Sequence, residues 1–201
     1  MKNLKSLVFV SALLVVFQIP ALAQYSRFVP MQRNTISASI GGGLIMSEIQ
    51  TPGNTYSTKG GLDWRVEYTH TFKNGIGFGA QYSGFHTGFD EGFDADITYI
   101  APQFVYRIQV KSVIFSAGAG IGYANYKESA QQGNASLSTS GVGLNFNGGV
   151  EFMVSKNVGI GATIGTVNVF TDNTYDSPHN DNDDLNGFAR INILGGIRFY
   201  F

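Results

Sequence analysis

The stretch RINILGGIRFYF, Arg190 to Phe201, decides the fold. Ile191, Ile193, Gly195, Ile197, Phe199 and Phe201 share one parity, while Arg190, Asn192, Leu194, Gly196 and Arg198 share the other. Successive side chains of a β-strand point to opposite faces. This segment therefore presents one face of aliphatic and aromatic groups and one that is charged, polar or small. A strand that is apolar outside, polar inside and finished by an aromatic is what a barrel standing in lipid requires.

The same alternation recurs upstream. Period-2 reading predicts eight strands, over 34–46, 60–72, 75–86, 96–109, 113–126, 140–154, 158–170 and 186–201. Each is somewhat longer than the ~9–11 residues that cross a bilayer at a tilt. The connections alternate in length. Lys73-Asn74, Val110-Lys111-Ser112 and Ser155-Lys156-Asn157 read as tight turns, whereas 47–59, 87–95, 127–139 and 171–185 read as long polar loops. The pattern predicts an all-β, eight-stranded, antiparallel up-and-down barrel with short periplasmic turns and four long extracellular loops. An even strand number would place both termini in the periplasm.

The other end of the chain agrees. Lys2 and Lys5 precede an apolar run from Leu7 to Ile19, and Ala21-Leu22-Ala23 fits a small-x-small cleavage site. Residues 1–23 therefore read as a cleaved signal peptide, 24–33 as a periplasmic lead-in and 34–201 as the barrel domain. The apolar run is shorter than the roughly 20 residues of a membrane-spanning helix. If the mature chain crosses a membrane, it must close as a barrel, because open strands leave backbone groups unpaired in hydrocarbon. With no cysteine there is no disulfide framework. A formal net charge of −1 gives no reason to invoke nucleic acid. Charged residues are 13% of the chain, against roughly 25% in soluble domains, so something other than water covers much of the surface.

A soluble lipocalin-like barrel is the structural rival, since it also has eight up-and-down strands. The polar face separates the two. In a soluble barrel it meets water and carries long Lys and Glu side chains. Here it is mostly small: Ser37, Ser39, Gly41 and Gly43; Gly77, Gly79, Gln81 and Ser83; Ser116, Gly118, Gly120 and Gly122; Gly159, Gly161, Thr163 and Gly165. Small residues suit a narrow interior. The large charges on that face, Asp63, Arg65, Glu67, Arg107, Glu151, Arg190 and Arg198, are of mixed sign and predict a paired lumen network. The opposite face would meet acyl chains through Leu62, Trp64, Val66 and Tyr68, and through Val142, Leu144 and Phe146. Aromatics such as Tyr82, Tyr123, Phe170, Phe72 and Tyr106 lie near strand ends as interfacial girdles. Pro102 removes a ladder donor and predicts a bulge or local break.

On this hairpin pattern, and on Gly196, Phe199 and Phe201, the chain resembles the small outer-membrane barrels of the OmpA and OmpX type. The resemblance implies that these three residues form the terminal signal read by the barrel-assembly machinery, with Gly195 where a polar residue usually stands. It also implies periplasmic chaperones as partners, and outer-membrane lipids and lipopolysaccharide as surroundings. Members include adhesins, host-interaction proteins, periplasm-anchoring barrels and a few lipid-modifying enzymes.

Few residues point to chemistry. His70 shares the outward parity of Tyr68 and Phe72. Family enzymes that modify lipid A use a serine, a histidine and a carboxylate near the outer rim. Ser83 and His86 lie close in sequence but point to opposite faces of a regular strand. Asp172, Asp176, Asp181, Asp183 and Asp184, with His179 among them, offer hard oxygen ligands that would suit calcium. They lack the D-x-D-x-D-G spacing, so a solvated acidic loop is the plainer reading and weak divalent-cation binding the other. Glycine runs such as GIGFGA at 75–80 sit within strands and open no helix, which argues against a phosphate cradle. No cofactor is called for. The expectation is a non-enzymatic barrel in the bacterial outer membrane, structural or acting on an extracellular ligand through its loops. The alternatives are a lipid A-modifying enzyme and a small-solute pore of low conductance.

Overall fold

The structure, a computed structural model, describes residues 32–46, 49–51, 54–56, 59–89, 93–130, 136–171 and 186–201. The predicted signal peptide and most of the lead-in lie outside these residues. Eight strands close into one antiparallel barrel. In chain order they are β1 (Asn34–Ile45), β4 (Lys59–Thr71), β5 (Ile76–Phe89), β6 (Phe93–Val110), β7 (Val113–Ala130), β8 (Ser136–Met153), β9 (Val158–Thr171) and β10 (Asn186–Tyr200). Two short strands, β2 (Ile49–Thr51) and β3 (Asn54–Tyr56), pair with each other as a separate hairpin. Each barrel strand pairs with its neighbour in the chain, and β1 closes the sheet by pairing with both β4 and β10. Backbone bonds from Asn34 N–H to the Phe201 carbonyl and from Phe201 N–H to the Asn34 carbonyl tie the ends of that seam.

The tight turns fall where expected. Lys111 takes a left-handed φ of 57°, which reverses the chain within two residues between β6 and β7. Pro102 breaks the ladder without a bulge. Its pairing with Ala80 on β5 is intact, but on the β7 side the partners stop at Ile100↔Tyr123 and resume in the same register at Gln103↔Gly120. A missing N–H interrupts a ladder on one side, and here no residue is inserted to compensate.

Two expected loops are corrected. Residues 87–95 and 127–139 belong mostly to strands: β5 and β6 pair as far as Phe89↔Phe93, and β7 and β8 as far as Ser129↔Ser136. The stretch 47–59 likewise contains the β2–β3 hairpin. The reason lies in the phase of the alternation. On β6, outward positions run Ile100, Phe104, Tyr106, Ile108 and Val110, all exposed, while inward Gln103 and Arg107 are buried. Toward the long-hairpin end the pattern inverts. Ala95, Ile97, Tyr99 and Ala101 point in and are buried, and Asp94, Asp96 and Thr98 point out. β5 inverts at the same level, with Ser83 and Gln81 inside below Phe85, and Tyr82 outside below His86. A fixed-parity reading sees such a reversal as the end of a strand.

The outward apolar band on β6 spans ten residue steps, about 25 Å at a ~3.3 Å rise and ~40° tilt, which is the height of a bilayer-facing belt. Along it, Ile40, Phe78, Ile121, Phe146, Ile164 and Ile193 are among the exposed large hydrophobics, Ile193 at 64%. β6, β7 and β8 adjoin one another and have 18 residues each, against 12 for β1 and 13 for β4. One side of the barrel therefore rises above the rest.

Candidate functional site

The lumen is filled in layers. Nearest the chain ends, Glu151 is the hub. Its carboxylate accepts from Arg107 Nη2 at 3.0 Å, pairs with Arg198 Nε at 3.1 Å, and accepts the Tyr200 hydroxyl. Arg107 also donates to Thr35 Oγ1 at 2.6 Å, and Arg198 to Thr163 Oγ1 at 2.8 Å. Inward parity on β6, β8 and β10 aims these groups at the axis, and the small residues between them leave room. Gly196 is one such residue, since a Cβ there would come within 2.2 Å of Ser39 Oγ.

The second layer is centred on Asp63. Arg190 Nε lies 3.2 Å from its Oδ2, which also accepts from Asn192 Nδ2 at 3.0 Å. Arg190 Nη2 donates to Ser83 Oγ at 3.0 Å, and its guanidinium sits 5.8 Å from the Phe85 ring centre. Arg65 donates to Asn192 Oδ1 at 3.3 Å rather than to a carboxylate. Glu67 is half-buried and makes no ion pair among the described residues. Five of the seven predicted lumen charges thus pair around two carboxylates, Arg107 and Arg198 on Glu151 and Arg190 on Asp63, while Arg65 and Glu67 stand outside these pairs. Asp63, Glu151 and Arg190 are fully inaccessible to solvent.

A third layer is apolar. Ile45, Phe85, Ile97, Tyr99, Tyr126, Val167, Val169 and Phe188 form one buried cluster at the long-hairpin end. The Tyr99 hydroxyl has its one proton within reach of two acceptors, the Gly143 carbonyl at 3.1 Å and Asn145 Oδ1 at 3.0 Å. The expectation of a mostly small inward face with a few large charges does not include this apolar cluster. Tyr200 and Asn192 also carry lumen contacts that charge counting overlooks, although their even parity on β10 marks both as inward.

The remaining candidates do not converge. Ser83 is buried in the lumen and bound by Arg190, whereas His86 stands on the outer wall with its Nδ1 2.8 Å from Asp96 Oδ1; both partners are more than half exposed. The histidine–carboxylate pair therefore has no access to that serine. His70 packs on Phe72 and Phe78, with ring centres 5.2 and 5.6 Å away, and its Nδ1 is 2.8 Å from Asn34 Oδ1. Phe199 and Phe201 are exposed on the outer wall. Asp172, Asp176, His179, Asp181, Asp183 and Asp184 lie outside the described residues. Among the described residues, no three His, Asp or Glu side chains are grouped to hold a metal ion.

Residues 9–193 match a family model described as the outer membrane protein beta-barrel domain. Among curated proteins, none matches the sequence. Solved structures supply fold relatives. Neisserial surface protein A aligns with a TM-score of 0.64 at 15% identity, covering 84% of this chain and 97% of that one. Ail, the attachment invasion locus protein of Yersinia pestis, aligns with a TM-score of 0.50 at 19% identity, covering 84% and 99%. OprG of Pseudomonas aeruginosa aligns with a TM-score of 0.51 at 11% identity, covering 85% and 97%.

Proposed function

This chain belongs to the outer membrane protein beta-barrel domain family, and from that placement in the bacterial outer membrane we propose a non-enzymatic surface-interaction role. The observation that carries it is the polarity reversal. Beyond the apolar band, β5 to β8 continue as paired sheet with Asp94, Asp96, Asn125, Lys127 and Ser138 facing out. Paired strands cost a partner no ordering entropy when they are engaged, unlike a floppy loop. The apolar plug stiffens their inner side. The reading places both termini in the periplasm and the tall hairpins outside. Neisserial surface protein A and Ail bear names of surface and attachment proteins, at identities that speak only for their fold.

The filled lumen argues against a pore, and the separation of Ser83 from His86 argues against a serine-based lipid enzyme. The test replaces residues 128–138 by a short turn and measures adhesion of the bacteria to host cells. Loss of adhesion with a folded barrel is expected. Equal adhesion by the shortened and parent proteins would remove the proposal, and an altered lipid A acyl pattern in a deletion strain would favour the enzyme.

A further inference from the structure

On the outer wall, at the line where the polarity inverts, lies a half-open depression of about 450 Å³ between β4, β5, β6 and β7. Its floor is aromatic. Trp64 and Tyr82 meet edge to face with ring centres 5.3 Å apart. The Trp64 indole lies directly on Gly84, where a Cβ would come within 2.5 Å of the ring. Any side chain at Gly84 would displace the indole. Above this floor the lining turns polar, with the His86–Asp96 pair, Thr98, Asn125 and Lys127. Thr98 and Asn125 are register partners, as are Asp96 and Lys127, so these groups form two adjacent rows. Lys127 is exposed and has no ion-pair partner among the described residues, while Asp96 is turned to His86. The row directly below, Val66, Tyr82, Ile100 and Tyr123, is exposed and belongs to the apolar band.

An occupant of this depression touches acyl chains below and water above. We propose that it holds the phosphorylated sugar headgroup of an outer-leaflet glycolipid. A sugar ring has an apolar C–H face that packs on an indole, and its hydroxyls need both donors and acceptors, which Thr98, Asn125 and Asp96 supply. The phosphate meets Lys127 as a point charge. A phospholipid without sugar would satisfy Lys127 and leave the indole face and the Thr98 hydroxyl unmatched, with Asn125 and Asp96 keeping only Ser138 and His86. The inference rests on the tall hairpins lying outside, but it concerns the lipid side of the wall and no surface ligand.

Trp64 is the chain's single tryptophan, so its emission reports from the site. The folded protein is placed in phosphatidylcholine nanodiscs and titrated with diphosphorylated lipid A, which enters both leaflets and makes the result independent of orientation in the cell. A saturable change in Trp64 emission is expected, with half-saturation raised about tenfold or more in Lys127→Gln and in Thr98→Val. Either variant alone suffices should the other not fold, as judged by heat-modifiable mobility. No saturable change, an equal response to phosphatidylglycerol, or titrations unmoved by either substitution would each overturn the proposal.

Discussion

Glu151 is the residue on which the lumen most depends. Two guanidiniums and a tyrosine hydroxyl converge on one carboxylate that solvent does not reach. Removing its charge leaves Arg107 and Arg198 buried without a counter-ion, a situation that costs about 3–5 kcal/mol. Glu151→Gln should therefore lower the unfolding free energy in urea-titrated lipid vesicles by that order, and adding Arg107→Met should recover part of the loss. Equal stability of parent and Glu151→Gln would mean that water reaches the cluster. Ile164, exposed at 57% in the middle of β9, makes the opposite case. Its side chain contributes through contact with acyl chains, so Ile164→Arg should cost about 2–4 kcal/mol in a bilayer. In a soluble barrel with a wet outer wall the same change would be close to neutral.

Strand β10 carries two kinds of information on its two faces. Inward, Arg190, Asn192, Arg198 and Tyr200 supply lumen contacts to both clusters. Outward, Phe199 and Phe201 are exposed and make none of these contacts, which leaves them free for recognition before the barrel closes. Phe201→Asp should slow insertion in cells, seen as less heat-modifiable protein, while refolding into thin synthetic bilayers proceeds at the parent's rate. Equal defects in both settings would assign Phe201 to stability instead. The strands also show why sheet extends into stretches whose sequence resembles long loops. A single parity was legible in 96–109 because one face stays apolar for most of it. The continuation through 93–95 has the apolar residue on the other face, as Ala95 beside Asp94 and Asp96 illustrates, and a hairpin tip with inverted phase resembles a polar loop.

The closed barrel sums these effects. Two ionic layers and an apolar plug stand in series along one narrow axis, so ions meet both a dry constriction and fixed charges. The reconstituted protein should show no stable conductance step in planar bilayers. A steady channel would mean that the plug opens. Orientation can be read with single cysteines, since the chain has none of its own. Ser138→Cys, on the tall wall, should react with a membrane-impermeant maleimide on intact cells, and Ser155→Cys, in the β8–β9 turn, should react only after lysis. The reverse pattern would place the termini outside.

Face assignment was legible from the chain alone. It depends on the two-residue period of an extended backbone, which is local, and on which solvent each face must meet. Hence the lipid-facing rows, the small lumen residues, the tight turns and the break at Pro102 could all be read from residue order. Pair assignment was not legible. Asp63 meets Asn192 across 129 positions of sequence, and Glu151 takes Arg107 and Arg198 while Arg65 turns to an amide. Those choices follow from the stagger of the closed sheet, which sets the height at which each inward residue crosses the axis. That height exists only once the first strand has met the last.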